Sequence, residues 1–399
     1  MSDSSGPDFS DTFTETSSRS WISRIGDSIK GVLFGLLLVA AASVLLFWNE
    51  GRAVQTARSL DEGAGLVVGI DAARVDPANE GKLVHLSGEL KAGARLSDPE
   101  FGVSAEGLRL VRNVEMFQWK EESKTETRKN LGGSEETVTT YSYHRVWSDS
   151  RNDSSRFRRP DGHANPDMRY RRFGVAARDA SLGAFRPGAA VLQQLPASED
   201  VRVDAALATA VGKRVTGGAH AVDGKLYLGA DPAAPRIGDL RLSFTVAPIG
   251  PVSIVGRQAG TDFSEYQTQA GDKLLMVRPG IRTAAEMFKS AADENRILTW
   301  ILRLVGAVMM FAGFSMVLRP LVVVADVVPL IGSILGAGAG LVSLVLTALL
   351  APVIIAIAWL WYRPVVSIAA LVIGFGLAYG FKTLASRRSA ARSPQPAGA

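Results

Sequence analysis

Long runs of apolar residues occur at two places in the chain, near its start and over its last quarter. Near the start, residues 31–48 contain no charged side chain, and the pattern predicts a first transmembrane helix over residues 25–48. A helix needs about 20 mostly apolar residues to cross the hydrocarbon core. The later block therefore has room for three crossings, which we predict over residues 297–318, 321–361 (with an apolar linker) and 365–381. A soluble core would not account for three such tracts with almost no charge.

The first apolar tract has two interpretations. Its flanking Arg24 and Lys30 and the small residues at 40–43 are typical of a cleaved signal peptide. The apolar run nevertheless continues past these small residues to Trp48, and a polar tail precedes it. We therefore favour a retained signal anchor, with Trp48 at the membrane interface.

The polar region between the two apolar parts, residues 49–294, alternates in a way that is typical of strands. The runs at 83–90, 108–119 and 137–147 are rich in Val, Thr and aromatic residues. The last two runs predict a long antiparallel hairpin around a charged, solvated loop at 121–136. Short helices are predicted at 189–195 and 201–211, and further strands after them. Thr283-x-x-Glu286 has the spacing of a capping box and predicts a helix start.

Charge decides the expected orientation. Basic residues collect at one end of the predicted bundle, namely Arg19, Arg24, Lys30, Arg319, Lys382, Arg387, Arg388 and Arg392. The positive-inside rule then predicts a disordered cytosolic tail over 1–24 and a basic cytosolic tail over 382–399. The fold class that follows is a membrane protein with four transmembrane helices, one N-terminal and three C-terminal. They bracket an α+β, mainly antiparallel extracytosolic domain.

Composition narrows the chemistry. The 399-residue chain has no cysteine, which excludes disulfides, thiolate zinc sites and cysteine nucleophiles. Its formal net charge of +5 is small for this length, so we expect no nucleic-acid partner. Phosphate-loop, zinc-protease and nucleophile-elbow motifs do not occur. We therefore predict no catalytic residue, no cofactor and no metal, and expect a protein that is not an enzyme. Of the four scattered histidines, His144 would be the first candidate if this is wrong.

Arginines interleaved with aromatic residues follow the hairpin. Arg156, Arg158, Arg159, Arg171 and Arg172 are candidate contacts for lipid headgroups or an acidic partner. A solvated loop is the favoured interpretation of this stretch.

Glycines recur at four-residue spacing in the apolar tracts. Gly332, Gly336 and Gly340, and further along Gly376 and Gly380, predict faces for close helix packing, within one chain or between copies. Two charged residues, Arg303 and Asp326, lie near the membrane tracts. They are candidates for function or for placement at the interface.

Several short stretches together resemble a known family. They are Asn49-Glu50-Gly51-Arg52, Asn79-Glu80-Gly81-Lys82-Leu83-Val84-His85, Ser97-Asp98-Pro99, Val114-Glu115-Met116-Phe117-Gln118-Trp119, Tyr141-Ser142-Tyr143, Gly238-Asp239-Leu240-Arg241 and Trp359-Leu360-Trp361-Tyr362-Arg363-Pro364. Their order and the arrangement of crossings resemble the transmembrane protein 43 family, also called LUMA. The resemblance implies an integral membrane protein that self-associates and binds envelope proteins, without an established enzymatic activity.

The sequence thus predicts an integral membrane scaffold or organiser that forms homo-oligomers. It would contact membrane lipids and membrane or envelope proteins that the sequence does not identify. The location would be the bacterial inner membrane, or the endoplasmic reticulum or inner nuclear membrane in a eukaryote. An ion-conducting or transport protein is the alternative, and a membrane-anchored enzyme is the third choice.

Overall fold

A computed structural model describes residues 11–365 together with Ser367 and Ile368. It separates into two compact units. The first unit contains residues up to Ser18, Ser59–Arg128 and Glu135–Ala291. The second contains Arg19–Arg58, Lys129–Ser134 and the residues from Ala292 onward. The first unit is rich in strands, and the second consists mainly of long helices.

The described residues form five α-helices, of which three are long. The helices are α1 (Trp21–Leu66), α2 (Ala189–Leu192), α3 (Ala205–Gly212), α4 (Ala284–Ala325) and α5 (Pro329–Tyr362). By length and apolar composition, α1, α4 and α5 are each able to cross a membrane. α1 and α4 extend beyond the predicted bounds, because a helix can continue into water where its polar residues satisfy one face. α5 begins eight residues after the start of the predicted segment and ends one residue past it.

The start of α4 confirms the predicted capping box. The backbone N–H of Glu286 donates to Thr283 Oγ1 at 3.2 Å, and the N–H of Thr283 donates to Glu286 Oε2 at 2.9 Å. Two donors that the helix itself leaves unpaired are thereby satisfied. The helix then passes Pro320 without ending and stops at Ala325. The predicted break at residues 319–320 is therefore displaced to the turn before Pro329.

Part of the prediction falls outside the described residues. The fourth crossing at 365–381, apart from Val365, Ser367 and Ile368, lies there, as do Gly376, Gly380 and the basic tail at 382–399.

The larger sheet has eight strands. They are β1 (Asp11–Arg19), β6 (Arg109–Lys129), β7 (Glu135–Ser148), β8 (Phe173–Ala176), β10 (Glu199–Val201), β11 (Ala219–Val222), β12 (Lys225–Leu228) and β13 (Leu240–Ala247). The order is β1-β7-β6-β13-β12-β11, with β8 also paired to β6 and β10 to β13. The strands run as the sequence predicts, but the β6–β7 hairpin is longer. Only residues 130–134 connect its strands, so most of the predicted charged loop is strand.

The second sheet has six strands, and two small ribbons accompany it. Its strands are β2 (Val68–Gly69), β3 (Leu83–Lys91), β9 (Ser181–Leu182), β14 (Gly250–Ala259), β15 (Asp262–Ser264) and β18 (Met276–Pro279). The ribbons pair β4 (Leu96–Ser97) with β5 (Ser104–Ala105), and β16 (Tyr266–Gln267) with β17 (Lys273–Leu274). The β2–β3 pair is parallel and the other registered pairs are antiparallel, which confirms the mainly antiparallel domain.

One apolar core joins the two sheets. Alternate residues of β6 and β13 point into it, for example Leu110 and Met116 from β6 and Phe244 from β13. Ile254 from β14 and Leu86 from β3 reach the same core from the second sheet. Period-two alternation is what places one face of each strand in the core and the other outside.

The predicted disorder of residues 1–24 is wrong for the described part of that segment. β1 forms the edge of the larger sheet beside β7, and α1 begins two residues after it. Phe13 stacks on Tyr141 with ring centroids 6.3 Å apart, and Thr14 Oγ1 lies 3.4 Å from Thr140 Oγ1. A polar segment that has little apolar content of its own becomes ordered here because an existing strand supplies its hydrogen-bond partners.

Candidate functional site in the helix bundle

Glycines let α1 and α4 approach each other closely. A Cβ placed on Gly313 would lie 2.8 Å from the carbonyl oxygen of Gly35 and 2.7 Å from Val39 Cγ2. One placed on Gly306 would lie 2.6 Å from Leu46 Cδ2. Residue numbers rise on α1 as they fall on α4 along these contacts, so the two helices are antiparallel. Small residues at such crossings allow backbones to pack without lipid between them.

Glu50 joins three helices through its two carboxylate oxygens. The side chain belongs to α1 and is 2% exposed. From α4, Arg303 Nε donates to Glu50 Oε1 at 2.6 Å and Arg303 Nη2 donates to Oε2 at 2.8 Å. From α5, Trp359 Nε1 donates to Oε2 at 2.8 Å. A carboxylate removed from water is stable only with such donors, so this contact fixes the relative positions of α1, α4 and α5.

The residues on either side of Glu50 extend this polar joint. Asn49 Nδ2 donates to the carbonyl oxygen of Thr299 at 3.1 Å. Arg52 donates to Asn295 Oδ1 at 2.9 Å and to Thr299 Oγ1 at 3.0 Å. The Asn-Glu-Gly-Arg stretch therefore ties one turn of α1 to two turns of α4. We call residues 49, 50, 52, 299, 303 and 359 the polar joint.

A second buried charge cluster lies at the other end of the same helices. Asp326, fully buried in the turn after α4, accepts from Arg24 Nη2 at 2.5 Å and from Lys129 Nζ at 2.7 Å. At 1.5 Å per residue, Arg24 and Glu50 are separated by about 39 Å along α1. The hydrocarbon core of a bilayer is about 30 Å thick, so the two clusters bracket the charge-free tract 31–48. We call Arg24, Lys129 and Asp326 the Asp326 cluster.

Two contacts bear on the expected sidedness, which stays a prediction. Arg24 Nη1 donates to the carbonyl oxygen of Gly133 at 2.6 Å, so the hairpin turn lies at the Arg24 end of α1. The expectation had put the membrane between these residues. In addition, β1 and β7 belong to one sheet. The expectation had put β1 in a cytosolic tail and β7 in an extracytosolic domain, on opposite sides of the membrane. The positive-inside rule depends on flanking residues and carries no information about strand pairing.

The predicted glycine face on α5 is open within the described chain. A Cβ on Gly336 would meet only Val322 Cγ1 at 3.5 Å, and one on Gly340 would meet nothing within 4 Å. Gly332 instead lies against Asp326, where a side chain would clash with the carboxylate. A contact between copies through Gly336 and Gly340 stays a prediction. The close contact inside the chain uses Gly35, Gly306 and Gly313.

The five predicted arginines have different surroundings. Arg158 pairs with Glu15 of β1, which raises the pKa of the Arg158 guanidinium. Arg159 lies over the Phe13 ring at 4.7 Å, and its backbone N–H donates to the hydroxyl oxygen of Tyr143 at 2.9 Å. The carbonyl oxygen of Arg171 accepts from Arg112 Nε at 3.2 Å. The guanidinium groups of Arg156 and Arg172 have no hydrogen-bond or ion-pair partner among the described residues.

Of the four histidines, the sequence analysis singled out His144 as the first candidate for a metal or catalytic role, which stays untested. His163, not His144, is buried in the domain, where its ring stacks on Tyr143 with centroids 4.0 Å apart. Its Nδ1 lies 3.0 Å from the carbonyl oxygen of Arg159 and its Nε2 lies 3.3 Å from Asp11 Oδ2. Burial between aromatic rings accounts for this histidine structurally.

The roles of Glu50 and Arg24 were also missed. One sequence signal pointed to Glu50. It is a carboxylate directly after the charge-free tract 31–48, and Arg303 offers an opposite charge near the start of the apolar tract at 297–318.

Comparison with known proteins identifies the family of the chain. A family model described as transmembrane protein 43 matches residues 116–364. The chain belongs to the transmembrane protein 43 family. Transmembrane protein 43 of mouse is 32% identical over 364 residues, which cover 86% of this chain and 87% of the mouse protein. The human protein is 32% identical over 366 residues, which cover 86% of this chain and 87% of the human protein. A Drosophila melanogaster homologue is 31% identical over 353 residues, which cover 86% of this chain and 91% of the homologue.

No solved structure matches the chain significantly. Membership of the transmembrane protein 43 family and the three apolar helices make the protein an integral membrane protein. Asn49, Glu50 and Arg52 of the polar joint belong to one of the stretches of this chain that carry the family resemblance.

Proposed function

We propose that the protein is an integral membrane scaffold that self-associates and presents its β-rich unit to membrane lipids and to other membrane or envelope proteins. The observation that carries the proposal is that two buried carboxylates of the bundle are hydrogen-bonded through both of their oxygens. Both oxygens of Glu50 and both oxygens of Asp326 are taken by groups of the same chain. Such groups hold helices in register and leave no carboxylate oxygen for a moving ion.

The open face of α5 supports self-association. Gly336 and Gly340 offer a surface without side chains, and within the described chain little covers it. Between helices in lipid, close packing of small residues is a main source of association energy. A second copy of α5 fits this face.

Ion conduction or transport is the alternative, and no observation favours it. The proposal involves no catalytic step, no cofactor and no nucleic acid. For compartment, we propose the bacterial inner membrane, or the endoplasmic reticulum or inner nuclear membrane of a eukaryote.

Crosslinking in membranes tests self-association. The chain has no cysteine, so one placed at Leu341, which is 63% exposed on α5, reports dimers without background. Gly336→Leu should reduce this crosslinking about fivefold or more, because overpacking a close contact costs about 1–3 kcal/mol. Gly31→Leu is the matched control, since a Cβ on Gly31 has nothing within 4 Å and this residue lies on α1.

Equal crosslinking in the two variants, at equal expression, would remove the α5 face from the proposal. Ion flux through vesicles containing the purified protein, above that of protein-free vesicles, would favour the conducting alternative over the scaffold.

A further inference from the structure

The short strand β8 has one unpaired edge. It pairs with β6 alone, in the register Arg109 with Ala176, Val111 with Gly174 and Arg112 with Phe173. Along its other edge, no hydrogen bond joins its backbone to the residues that the structure describes. Unpaired N–H and C=O groups at a sheet edge are a template for a further strand.

A groove runs along this strand and encloses about 300 Å³. Its floor is made by Val111, Gly174 and Ala176, which share the outer face of the β6–β8 pair. The opposite face belongs to the interior, where Phe173 lies 5.4 Å from the guanidinium of Arg112. The small residues at 174 and 176 create the depth, because a larger side chain at either position would fill the outer face.

Arginines stand at both ends of the groove. Arg172 directly precedes β8, and Arg109 is opposite Ala176 at the far end. Residues 172, 174 and 176 point to the same side of the strand, so both guanidinium groups belong to the groove face. Four residues of strand separate their positions, a distance of about 13 Å.

The charge at this surface is available to a ligand. Arg172 is exposed and has no partner among the described residues. Arg109 is half-buried and donates to the carbonyl oxygen of Gln193 at 2.5 Å through Nη1, while its Nε is buried without a partner in the described chain. Further arginines lie close by, since Arg171 and Arg172 also line an adjacent cavity with Arg151. The groove therefore favours an anionic occupant.

We infer that the β8 edge binds an extended acidic segment of a partner protein, added to the sheet as a further strand. Main-chain hydrogen bonds to β8 would supply affinity, and carboxylates paired with the two arginines would supply specificity. Since residues four apart in a strand share a face, the segment should carry two acidic residues at positions i and i+4. A small or aliphatic residue between them, at i+2, would face Gly174.

This inference adds a partner class to the proposed scaffold function. The test of this inference is independent of the test of self-association through α5, because β8 takes no part in the crosslinking.

Selection of displayed peptides tests it on the full-length protein. A random heptapeptide library on phage is selected against the protein in phosphatidylcholine nanodiscs, and the recovered peptides are measured by fluorescence anisotropy. We expect enrichment of acidic residues four positions apart. Gly174→Val should weaken binding of the recovered peptides at least tenfold, since it fills the groove. The nearest contact of its Cβ, 3.8 Å from the carbonyl oxygen of Leu110, leaves room for the side chain.

Gly69→Val is the matched control. Gly69 lies in the short strand β2 and has nothing within 4 Å of its Cβ position, so this variant should bind as the unchanged protein does. Repeating the selection on Arg172→Glu should replace the acidic residue at one of the two positions by Lys or Arg.

Three outcomes would overturn the inference. The first is recovery of peptides without acidic enrichment, and the second is equal binding to Gly174→Val and Gly69→Val. The third is displacement of the peptides by nanodiscs that contain phosphatidylglycerol, which would assign the arginines to lipid headgroups.

Discussion

Gly35 and Gly313 bring the backbones of α1 and α4 into contact, because a Cβ on Gly35 would lie only 2.6 Å from the carbonyl oxygen of Gly313. Gly35 follows Gly31 at the same four-residue spacing in the first apolar tract, whereas Gly313 belongs to no glycine series that the sequence singles out. Spacing within one helix shows where glycines share a face, but it does not show which helix that face meets.

Gly313→Leu should destabilise the helix bundle. The side chain would displace Val39 and the backbone of α1, so the apparent unfolding temperature in nanodiscs should fall, by an amount that corresponds to at least about 1–3 kcal/mol. Gly31→Leu, in open space on α1, should leave it unchanged. Equal stability of both variants would contradict the close α1–α4 contact.

Removal of Arg303 should be more damaging than removal of the whole pair. Arg303→Met leaves the buried Glu50 carboxylate with Trp359 alone, and loss of one partner of a buried pair costs about 3–5 kcal/mol. The double variant Glu50→Gln with Arg303→Met should recover most of that loss. Unfolding by denaturant in mixed micelles measures both, and Arg296→Met is the control because that side chain is 73% exposed. If the double variant is no more stable than Arg303→Met, the unpaired Glu50 carboxylate is not the cause of the loss of stability.

The same logic applies in the core of the β-rich unit. Arg112 Nη1 lies 3.0 Å from Asp98 Oδ2, and the Asp98 side chain has no exposed surface. Arg112→Met should therefore destabilise this unit by about 3–5 kcal/mol. Arg95→Met, which removes a pair with Glu106 at a side chain 60% exposed, should cost less than about 1 kcal/mol. Comparable losses in the two variants would contradict a dominant role for burial.

Tyr143 should make stability sensitive to alkaline pH. Burial, and then its hydrogen bond to Glu121, raise the pKa of Tyr143 from 10.0 to about 12. The folded state thus holds this proton more tightly than the unfolded state does. The contribution is complete below pH 10 and is lost as pH rises toward 12. Relative to Tyr143→Phe, the protein should lose about 1 kcal/mol between pH 9 and pH 11. A constant difference over that range would exclude the raised pKa.

The sequence predicts well those elements that depend on local pattern. Period-two alternation locates β3, β6, β7, β13 and β14, and apolar length locates the long helices. The capping box at Thr283 is also local, since its two partners are three residues apart. These features follow from side-chain periodicity and from hydrogen bonds between near neighbours.

Features that depend on distant partners were not predictable. Glu50 and Arg303 are separated by 253 residues, and Arg24 and Asp326 by 302. Nothing near either member indicates the other. β1 was missed for a related reason, because an exposed edge strand needs no apolar alternation once a neighbour pairs with it. Similarly, the charged residues that continue β6 and β7 are typical of a loop when taken alone.

The separation of β1 from β7 has a consequence for biosynthesis. β1 is complete at Arg19, while its partner strand begins at Glu135. At translation rates of about 5–20 residues per second, β1 waits on the order of ten seconds for the strand that will bind it. During that interval α1 leaves the ribosome and meets the membrane insertion machinery. The edge strand must therefore remain unpaired and soluble until then, a requirement that its run of Thr, Ser and acidic residues meets.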